Sequence, residues 1–280
     1  MESNTFSITP MSQSFSLYPG KSYKGSIKIV NYNDSKDDLH YKVSISPYGV
    51  VGEDYTADLT TTTGRNEIAK WITVDEPTGV VAPNATKEVT YTIKVPETAV
   101  SGGQYATIGV SSNPDQSKDM VTNVFELASV IYAEVAGNNT RGGSIINNIV
   151  PVFTFNPDAE ISTTIDNTGN VHDYATIEVK VNNFFTGDVI FPTEEDEGTF
   201  SEIIMPETTR HINRKISNLP ALGVVHISQS VNYNGETSLV EKNLIICPIW
   251  FLLLVIATIA ALITVIVLKV RRHKRSKVVL

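Results

Sequence analysis

EVTYTIKV, the stretch at residues 88–95, alternates apolar and polar side chains with a period of two. Val89, Tyr91, Ile93 and Val95 fall on one face of an extended chain, and the charged and hydroxyl side chains between them fall on the other. An amphipathic helix would need a period of 3.6 residues, which this stretch lacks. It therefore predicts a β-strand with one face in a core and the other in water.

The same alternation recurs along the chain. Tyr41, Val43 and Ile45 show it, and so do Ile177, Val179 and Val181. Residues 225–233 run up to Asn234-Gly235, a pair whose tolerance of positive φ suits a type I′ hairpin turn. Short strands separated by such turns predict an all-β ectodomain of two tandem immunoglobulin-like antiparallel β-sandwiches, followed by one transmembrane α-helix.

The domain boundary is expected in the polar, glycine-rich stretch at residues 137–143. Domain one is then residues 4–137. Domain two, the membrane-proximal sandwich, is residues 142–245. The transmembrane helix is residues 249–268, and residues 269–280 form a basic cytoplasmic tail.

Residues 249–268 predict a membrane anchor. They contain 14 residues drawn from Ile, Leu, Val and Phe, and no charged side chain occurs from Asn243 to Leu268. Twenty helical residues span about 30 Å, the thickness of a bilayer's hydrocarbon core. Since the run is apolar on every face, a helix inside a globular domain is the weaker interpretation. The lipid bilayer is thus one expected partner.

The flanking residues predict the orientation. Trp250 falls at interfacial depth, and six cations follow the helix: Lys269, Arg271, Arg272, Lys274, Arg275 and Lys277. Only Lys242 lies close on the other side, so the positive-inside rule puts the C-terminus in the cytoplasm and the ectodomain outside the plasma membrane. This topology needs an export signal, which residues 1–20 lack. We therefore expect a processed or truncated chain whose Met1 is not the native start.

Charge and cysteine content narrow the function classes. Residues 1–268 carry 16 basic and 30 acidic residues, a net charge of −14, which disfavours nucleic acid as a partner. Cys247 is the only cysteine, so an intramolecular disulfide and a cysteine-based zinc site are excluded. Disulfide-free extracellular β domains are more typical of bacterial envelopes.

No motif predicts catalysis, a cofactor or a metal. The five histidines are scattered, and the His172-Asp173 pair lacks a nucleophile motif and points to opposite faces of a strand. The carboxylates of residues 194–197 lack the order of an EF-hand loop, so a solvated acidic loop is preferred to a calcium site. A non-enzyme is therefore predicted.

Aromatic residues between residues 48 and 80 are the candidates for partner binding. Trp71 is interpreted first as a core residue and second as an exposed anchor. Tyr48, Tyr55 and Trp71 could anchor an interface if they are exposed, because aromatic side chains dominate binding hot spots.

The order of features resembles the bacterial WxL-interacting cell-surface proteins, which have tandem immunoglobulin-like domains and a C-terminal transmembrane helix. The matching stretches are YPG at 18–20, GSIKIVN at 25–31, IKVP at 93–96, SGGQYATI at 101–108, NTGNVH at 167–172, IMP at 204–206 and LG at 222–223. The chain departs from the better-known members at residues 48–80, which read as a longer insertion. The resemblance implies binding to other surface proteins or to the cell wall, without catalytic residues.

Two hypotheses follow. The first is a membrane-anchored surface binding, adhesion or scaffold protein that presents domain one to another envelope protein or a wall polymer. The alternative is an accessory subunit of a membrane secretion or transport complex, in which the helix packs on partners. Ala257, Ala260 and Ala261 supply only a weak small-residue patch for such packing.

Overall fold

The computed structural model describes residues 6–32, 38–112, 126–194 and 197–276, with side chains as far as Lys269. Their strands are β1 (Phe6–Thr9), β2 (Ser12–Leu17), β3 (Ser22–Asn31), β4 (Leu39–Pro47), β5 (Gly49–Val51), β6 (Thr56–Asp58), β7 (Ile72–Val74), β8 (Thr78–Val81), β9 (Thr86–Lys94), β10 (Gly102–Ser112), β11 (Glu126–Val135), β12 (Ser144–Ile149), β13 (Phe153–Thr154), β14 (Ala159–Asn167), β15 (Asp173–Asn183), β16 (Val189–Phe191), β17 (Thr199–Ile204), β18 (Thr208–Ile216), β19 (Gly223–Tyr233) and β20 (Glu236–Ile246). A 3₁₀ helix covers Glu67–Lys70, and α1 covers Ile249–Ser276.

The chain forms two compact units. Unit 1 consists of Met1–Gly143 together with Asp166–Asp173 and Ile203–Arg210. Unit 2 consists of Ser144–Ile165, Tyr174–Glu202 and His211–Leu280. The predicted limits of independently folding domains, at residues 137 and 142, stay a prediction, because compactness alone does not establish independent folding.

Each unit is an immunoglobulin-like β-sandwich, as predicted. In unit 1 a sheet of order β1-β3-β9-β7 faces a sheet of order β2-β11-β10-β4-β8, and β5 pairs with β6. In unit 2 the sheets have the orders β12-β14-β18 and β13-β20-β19-β15-β16, with β17 also on β15. The predicted hairpin is confirmed, since β19 and β20 are joined by Asn234 and Gly235, which both have positive φ.

The sandwiches are not wholly antiparallel, which refines the prediction. β1 pairs antiparallel with β3, and β2 then pairs parallel with β11 in the other sheet. In unit 2, β13 likewise pairs parallel with β20. The neighbouring strands β3 and β11 run in opposite directions, so a first edge segment that keeps its own direction pairs antiparallel with one and parallel with the other. Nothing in the alternation of side chains reveals this, because the alternation is the same in both kinds of pairing.

The alternating residues form the cores. Val89, Tyr91 and Ile93 of β9 are buried, while Glu88 and Lys94 on the other face are exposed. In β15 the predicted residues Ile177, Val179 and Val181 are buried, and so is Ala175. Each sandwich therefore buries the apolar face of its strands between two sheets.

α1 confirms the predicted helix and extends it to Ser276. Its stretch Ile249–Lys269 is long and apolar enough to cross a membrane, and none of the most apolar part of it is buried against the rest of the chain. The Pro248 carbonyl accepts bonds from the Phe251 and Leu252 N–H groups at 3.0 and 3.1 Å, so this proline caps the first turn. Trp250 and Lys269 are exposed. The side chains of Arg271, Arg272, Lys274 and Arg275, and all of Lys277, lie outside the described residues.

Candidate binding site

Strand β10 organises the candidate site in unit 1. Its residues from Gly102 to Val110 are all buried, so both faces of the strand are covered. Ala106, Ile108 and Val110 pack into the core of the sandwich. A strand covered on both faces cannot carry charged side chains without a large desolvation cost, and residues 101–112 contain none.

The first residues of β10 are hydrogen-bonded to three other segments of unit 1. The Gly103 N–H donates to the Asn170 carbonyl at 2.8 Å, and the Tyr105 N–H donates to the Arg65 carbonyl at 2.8 Å. The Tyr105 carbonyl accepts from the Tyr48 N–H at 3.3 Å. These bonds fix the positions of the loops that surround the end of the strand.

The Gln104 side chain holds the segment before the 3₁₀ helix. Its Nε2 donates to the Gly64 carbonyl at 2.6 Å, and its Oε1 accepts from the Ile68 N–H at 3.2 Å. Because Gln104 is buried, both bonds are shielded from water and stabilise the segment that leads into the 3₁₀ helix.

Four rings meet on the outer face of β10, and we call Tyr48, Tyr105, Tyr132 and His172 the aromatic cluster. The Tyr105 and His172 ring centroids are 5.6 Å apart, and Tyr132 lies 6.0 Å from Tyr105 and 5.5 Å from His172. Tyr48 meets Tyr132 edge to face at 6.1 Å. Gly103 makes room for this arrangement, since a Cβ there would lie 2.0 Å from the Tyr105 hydroxyl oxygen.

Arg141 closes one side of the aromatic cluster. It donates to Glu134 Oε1 at 2.7 Å and to the His172 carbonyl at 2.9 Å, and it lies 3.7 Å from Asp173. Glu134 raises the pKa of Arg141 through a hydrogen bond. Burial lowers the pKa of His172 and raises that of Tyr105, so both groups are held neutral. Both side chains take part in hydrogen bonds between segments of unit 1.

Tyr55 anchors the hairpin of β5 and β6 within unit 1. Its hydroxyl accepts from the Met205 N–H at 2.9 Å and is also hydrogen-bonded to Thr208. The Arg210 guanidinium lies over the Tyr55 ring, 4.7 Å from the ring centroid. Burial raises the pKa of Tyr55 above its ordinary value of 10.0. These contacts fix the position of the β5–β6 hairpin within unit 1.

Beside these segments unit 1 has a cleft of about 660 Å³, which we call the polar cleft. Its walls include hydroxyl, amide and charged side chains, among them Thr63, Arg65, Ser101, Asn138, Asn170 and Glu207. Arg65 Nη2 lies 2.7 Å from Glu207 Oε1 in an ion pair whose glutamate is largely exposed. A second cleft of about 150 Å³ also has Arg65 in its wall, together with Tyr105. The polar cleft offers several donors and acceptors to a ligand, in the size range typical of binding sites.

The predicted aromatic anchors are not freely exposed. Tyr48 belongs to the aromatic cluster, Tyr55 is tied to Met205, and Trp71 packs against the core of unit 1. All three side chains are half-buried. Their role in partner binding stays a prediction, and the first interpretation of Trp71, as a core residue, agrees with its packing.

Sequence reasoning missed the residues that form the polar cleft. Arg65, Asn170 and Glu207 come from segments that are far apart in the chain, so no local spacing connects them. One signal was present. Residues 101–112 carry no charged side chain on either face, unlike the alternating strands, and this is typical of a strand buried on both faces. That signal indicates covering segments but does not name them.

The other candidates are dispersed. His40 is exposed, His211 Nδ1 lies 2.9 Å from the Thr164 hydroxyl, and His226 Nδ1 lies 3.0 Å from Asn243 Oδ1. Within the described ranges no three His, Cys, Asp or Glu side chains form a group suited to a metal ion. Of the acidic loop, Glu195 and Asp196 lie outside the described residues.

Comparisons with known proteins assign no family. No family model and no curated protein matches the sequence. Among solved structures, the Salmonella enterica SafA pilin–SafB chaperone complex gives a TM-score of 0.44 at 9% identity, with 88% of this chain and 98% of that chain covered. A complex of a chaperone and a tip adhesin from CFA/I fimbriae biogenesis gives 0.43 at 11%, with 85% and 98% covered. The Escherichia coli chaperone DraB gives 0.40 at 12%, with 86% and 97% covered. TM-scores and sequence identities this low imply nothing about the partners of this chain.

Proposed function

We propose that this chain is a single-pass membrane-anchored surface protein whose unit 1 binds another envelope protein or a wall polymer. The observation that carries the proposal is the polar cleft, which lies among ordered loops of unit 1 and offers Arg65, Glu207 and amide groups to a ligand. Unit 2 and α1 then act as stalk and tether. The resemblance to WxL-interacting surface proteins supports the same class of function.

The membrane anchor in this proposal rests on α1. A helix of 21 mostly apolar residues, whose most apolar part is not buried against the rest of the chain, would be unstable in water, and a bilayer removes that apolar surface from water. The six cations from Lys269 to Lys277 support a cytoplasmic C-terminus. Unit 1 is then outside the cell, where envelope proteins and wall polymers are accessible.

The ligand is expected to make hydrogen bonds with the polar side chains of the cleft. The polar cleft is open at Asn138 and Glu207, which are both exposed, while Asn170 is half-buried. Peptide groups and sugar hydroxyls both suit such a surface. Capture of an envelope protein would identify the first, and capture on cell-wall polymer would identify the second.

Capture experiments with the full chain in detergent test the proposal. Solubilised envelope proteins form one arm, and purified insoluble cell wall forms the other. Asn138→Trp would obstruct the polar cleft and Arg65→Gln would remove its cation. Loss of a charged hydrogen bond costs about 1.5–3 kcal/mol, so roughly ten- to hundredfold weaker capture is expected in one arm.

The matched control is Lys94→Gln, which removes one positive charge from an exposed position of unit 1 outside the cleft. It should capture as the wild type does, and all variants should keep the melting temperature of the wild type. If cleft variants capture normally while a chain lacking residues 249–276 loses every partner, the accessory-subunit hypothesis replaces this one.

A further inference from the structure

One end of unit 2 exposes an unusual number of large apolar side chains. Phe185 is 77% exposed, and four others are close to half exposed: Phe153, Phe155, Phe184 and Ile245. Phe153 packs edge to face on Phe155, and Phe184 packs in the same way on Phe185. These five residues form what we call the apolar rim. Single exposed apolar residues are common on proteins, but a contiguous set indicates a contact surface.

Strand register brings the apolar rim together. Phe153 of β13 is paired with Ile245 of β20, and Ile245 is paired with Val224 of β19. The Val224 carbonyl accepts from the Phe184 N–H at 3.2 Å. Four neighbouring strands, β13, β20, β19 and the end of β15, therefore place these residues side by side across the sheet. At the usual strand spacing this row is about 14 Å long. Leu244 and Ile246 point into the core, so Ile245 points outward.

The apolar rim lies next to the start of α1. Ile245 is the second-last residue of β20, and only Cys247 and Pro248 separate that strand from Ile249. Three residue steps reach at most about 11 Å. The rim is thus within a few residues of the point where the proposed anchor enters the bilayer.

The chain segments that carry the apolar rim are also poor in charge, although the Asp188 carboxylate at the end of the Phe184–Phe185 turn accepts from Thr186 Oγ1 at 2.7 Å. No Asp, Glu, Lys or Arg occurs in residues 151–157, 183–187, 219–225 or 243–268. A surface that meets water or a polar protein partner would be expected to carry charged residues, since about a quarter of typical residues are charged. Three separate segments and the helix lack charge where they converge, which is the composition suited to contact with lipid.

We propose that the apolar rim of unit 2 inserts into the interfacial layer of the bilayer that α1 spans. This inference rests on the proposed function, because it requires α1 to be a membrane anchor. Phe153, Phe155, Phe184 and Phe185 enter the boundary between headgroups and acyl chains, at a depth of about 5–10 Å. Unit 2 is then seated on the membrane, with its β-sheet attached to the bilayer at the rim as well as through the helix.

Spin labels on the full chain in vesicles of phosphatidylcholine and phosphatidylglycerol test this inference. The background is Cys247→Ser, and labels are placed singly at Phe185→Cys, Phe155→Cys, Leu239→Cys and Ala260→Cys. Collision rates with oxygen, which partitions into lipid, and with a water-soluble nickel chelate report the depth of each label. Leu239 is the matched control, because it is on the outer face of the same strand as Ile245, similarly exposed (59% against 49%) and six residues away, about 20 Å.

We expect the labels at positions 185 and 155 to collide more with oxygen and severalfold less with nickel than the label at 239, which should behave as in water. The label at 260 should be the deepest. If 260 is deep but both rim labels match 239, the rim inference is wrong and the membrane anchor stands. If rim labels are shielded from both reagents, a protein covers the rim, and the inference is again wrong. A water-exposed label at 260 would overturn the anchor itself.

Discussion

Tyr105 and His172, which are 67 residues apart in the sequence, are joined by two hydrogen bonds inside unit 1. The His172 N–H donates to the Tyr105 hydroxyl oxygen at 3.0 Å, and that oxygen lies 3.2 Å from His172 Nδ1. When the proton of the neutral imidazole is on Nε2, Nδ1 can accept a hydrogen bond from the Tyr105 hydroxyl. The pair thus joins strand β10 to the turn at residues 166–173, and it supports the loops around the polar cleft.

Tyr105→Phe is expected to destabilise the protein. The substitution removes the acceptor of the buried His172 N–H and should lower the free energy of unfolding by about 1–3 kcal/mol. Tyr41→Phe is the matched control, because Tyr41 is equally buried (1% exposed) and its hydroxyl has no hydrogen-bond partner among the described residues. Chemical unfolding of the full chain in detergent measures both. Equal losses for the two variants would contradict this role for the Tyr105 hydroxyl.

Stability is expected to fall on acidification because of His172. Burial lowers its folded-state pKa below the ordinary value of 6.5, with Glu134, Arg141 and Asp173 as the charged neighbours. Between the two pKa values the unfolded chain therefore binds a proton that the folded chain does not. The contribution of neutral His172 to the free energy of unfolding is fully present above pH 6.5 and is lost as the pH falls toward the folded pKa.

Melting temperatures of the wild type and His172→Gln, measured between about pH 8 and about pH 5, check this dependence. Other groups also titrate in this range, so the informative quantity is the difference between the two proteins. The variant should lose less stability on acidification than the wild type. Parallel curves would show that His172 does not contribute.

The end point of a soluble ectodomain decides its stability. β20 continues to Ile246, so a protein that ends at Lys242 lacks the fully buried Leu244 and Ile246. At about 1.5–3 kcal/mol for each buried side chain, it should be about 3–6 kcal/mol less stable than one that ends at Cys247. Circular dichroism should show a β spectrum and cooperative melting for the longer protein. A mainly helical spectrum, or equal melting of the two, would contradict the prediction.

The cations after Leu268 predict the topology. Protease added to intact cells should digest residues 1–246 and leave an epitope placed after Leu280 intact, because six basic residues favour the cytoplasmic side. Permeabilised cells provide the control, in which the epitope should also be digested. Loss of the epitope from intact cells with survival of the ectodomain would reverse the orientation.

The amino-acid sequence by itself determined the alternating strands, the hairpin turn, the C-terminal helix and the fold class. The alternation at Val89, Tyr91 and Ile93 predicts a half-buried strand, and Asn234-Gly235 predicts the hairpin turn, because side-chain direction and backbone φ are local properties. The apolar run from Ile249 predicts the helix for the same reason, since its length and composition need no knowledge of the rest of the chain.

Only the tertiary structure decided which residues meet. Arg65 and Glu207 form an ion pair across 142 residues of sequence, and Phe153, Ile245 and Phe184 share one row only through strand register. The sequence offered Tyr48 and Tyr55 as anchors if they are exposed; long-range contacts leave both half-buried, and their role in binding stays a prediction. Pairing partners are chosen by the packing of the whole sandwich, and a period of two looks the same whichever strand lies beside it.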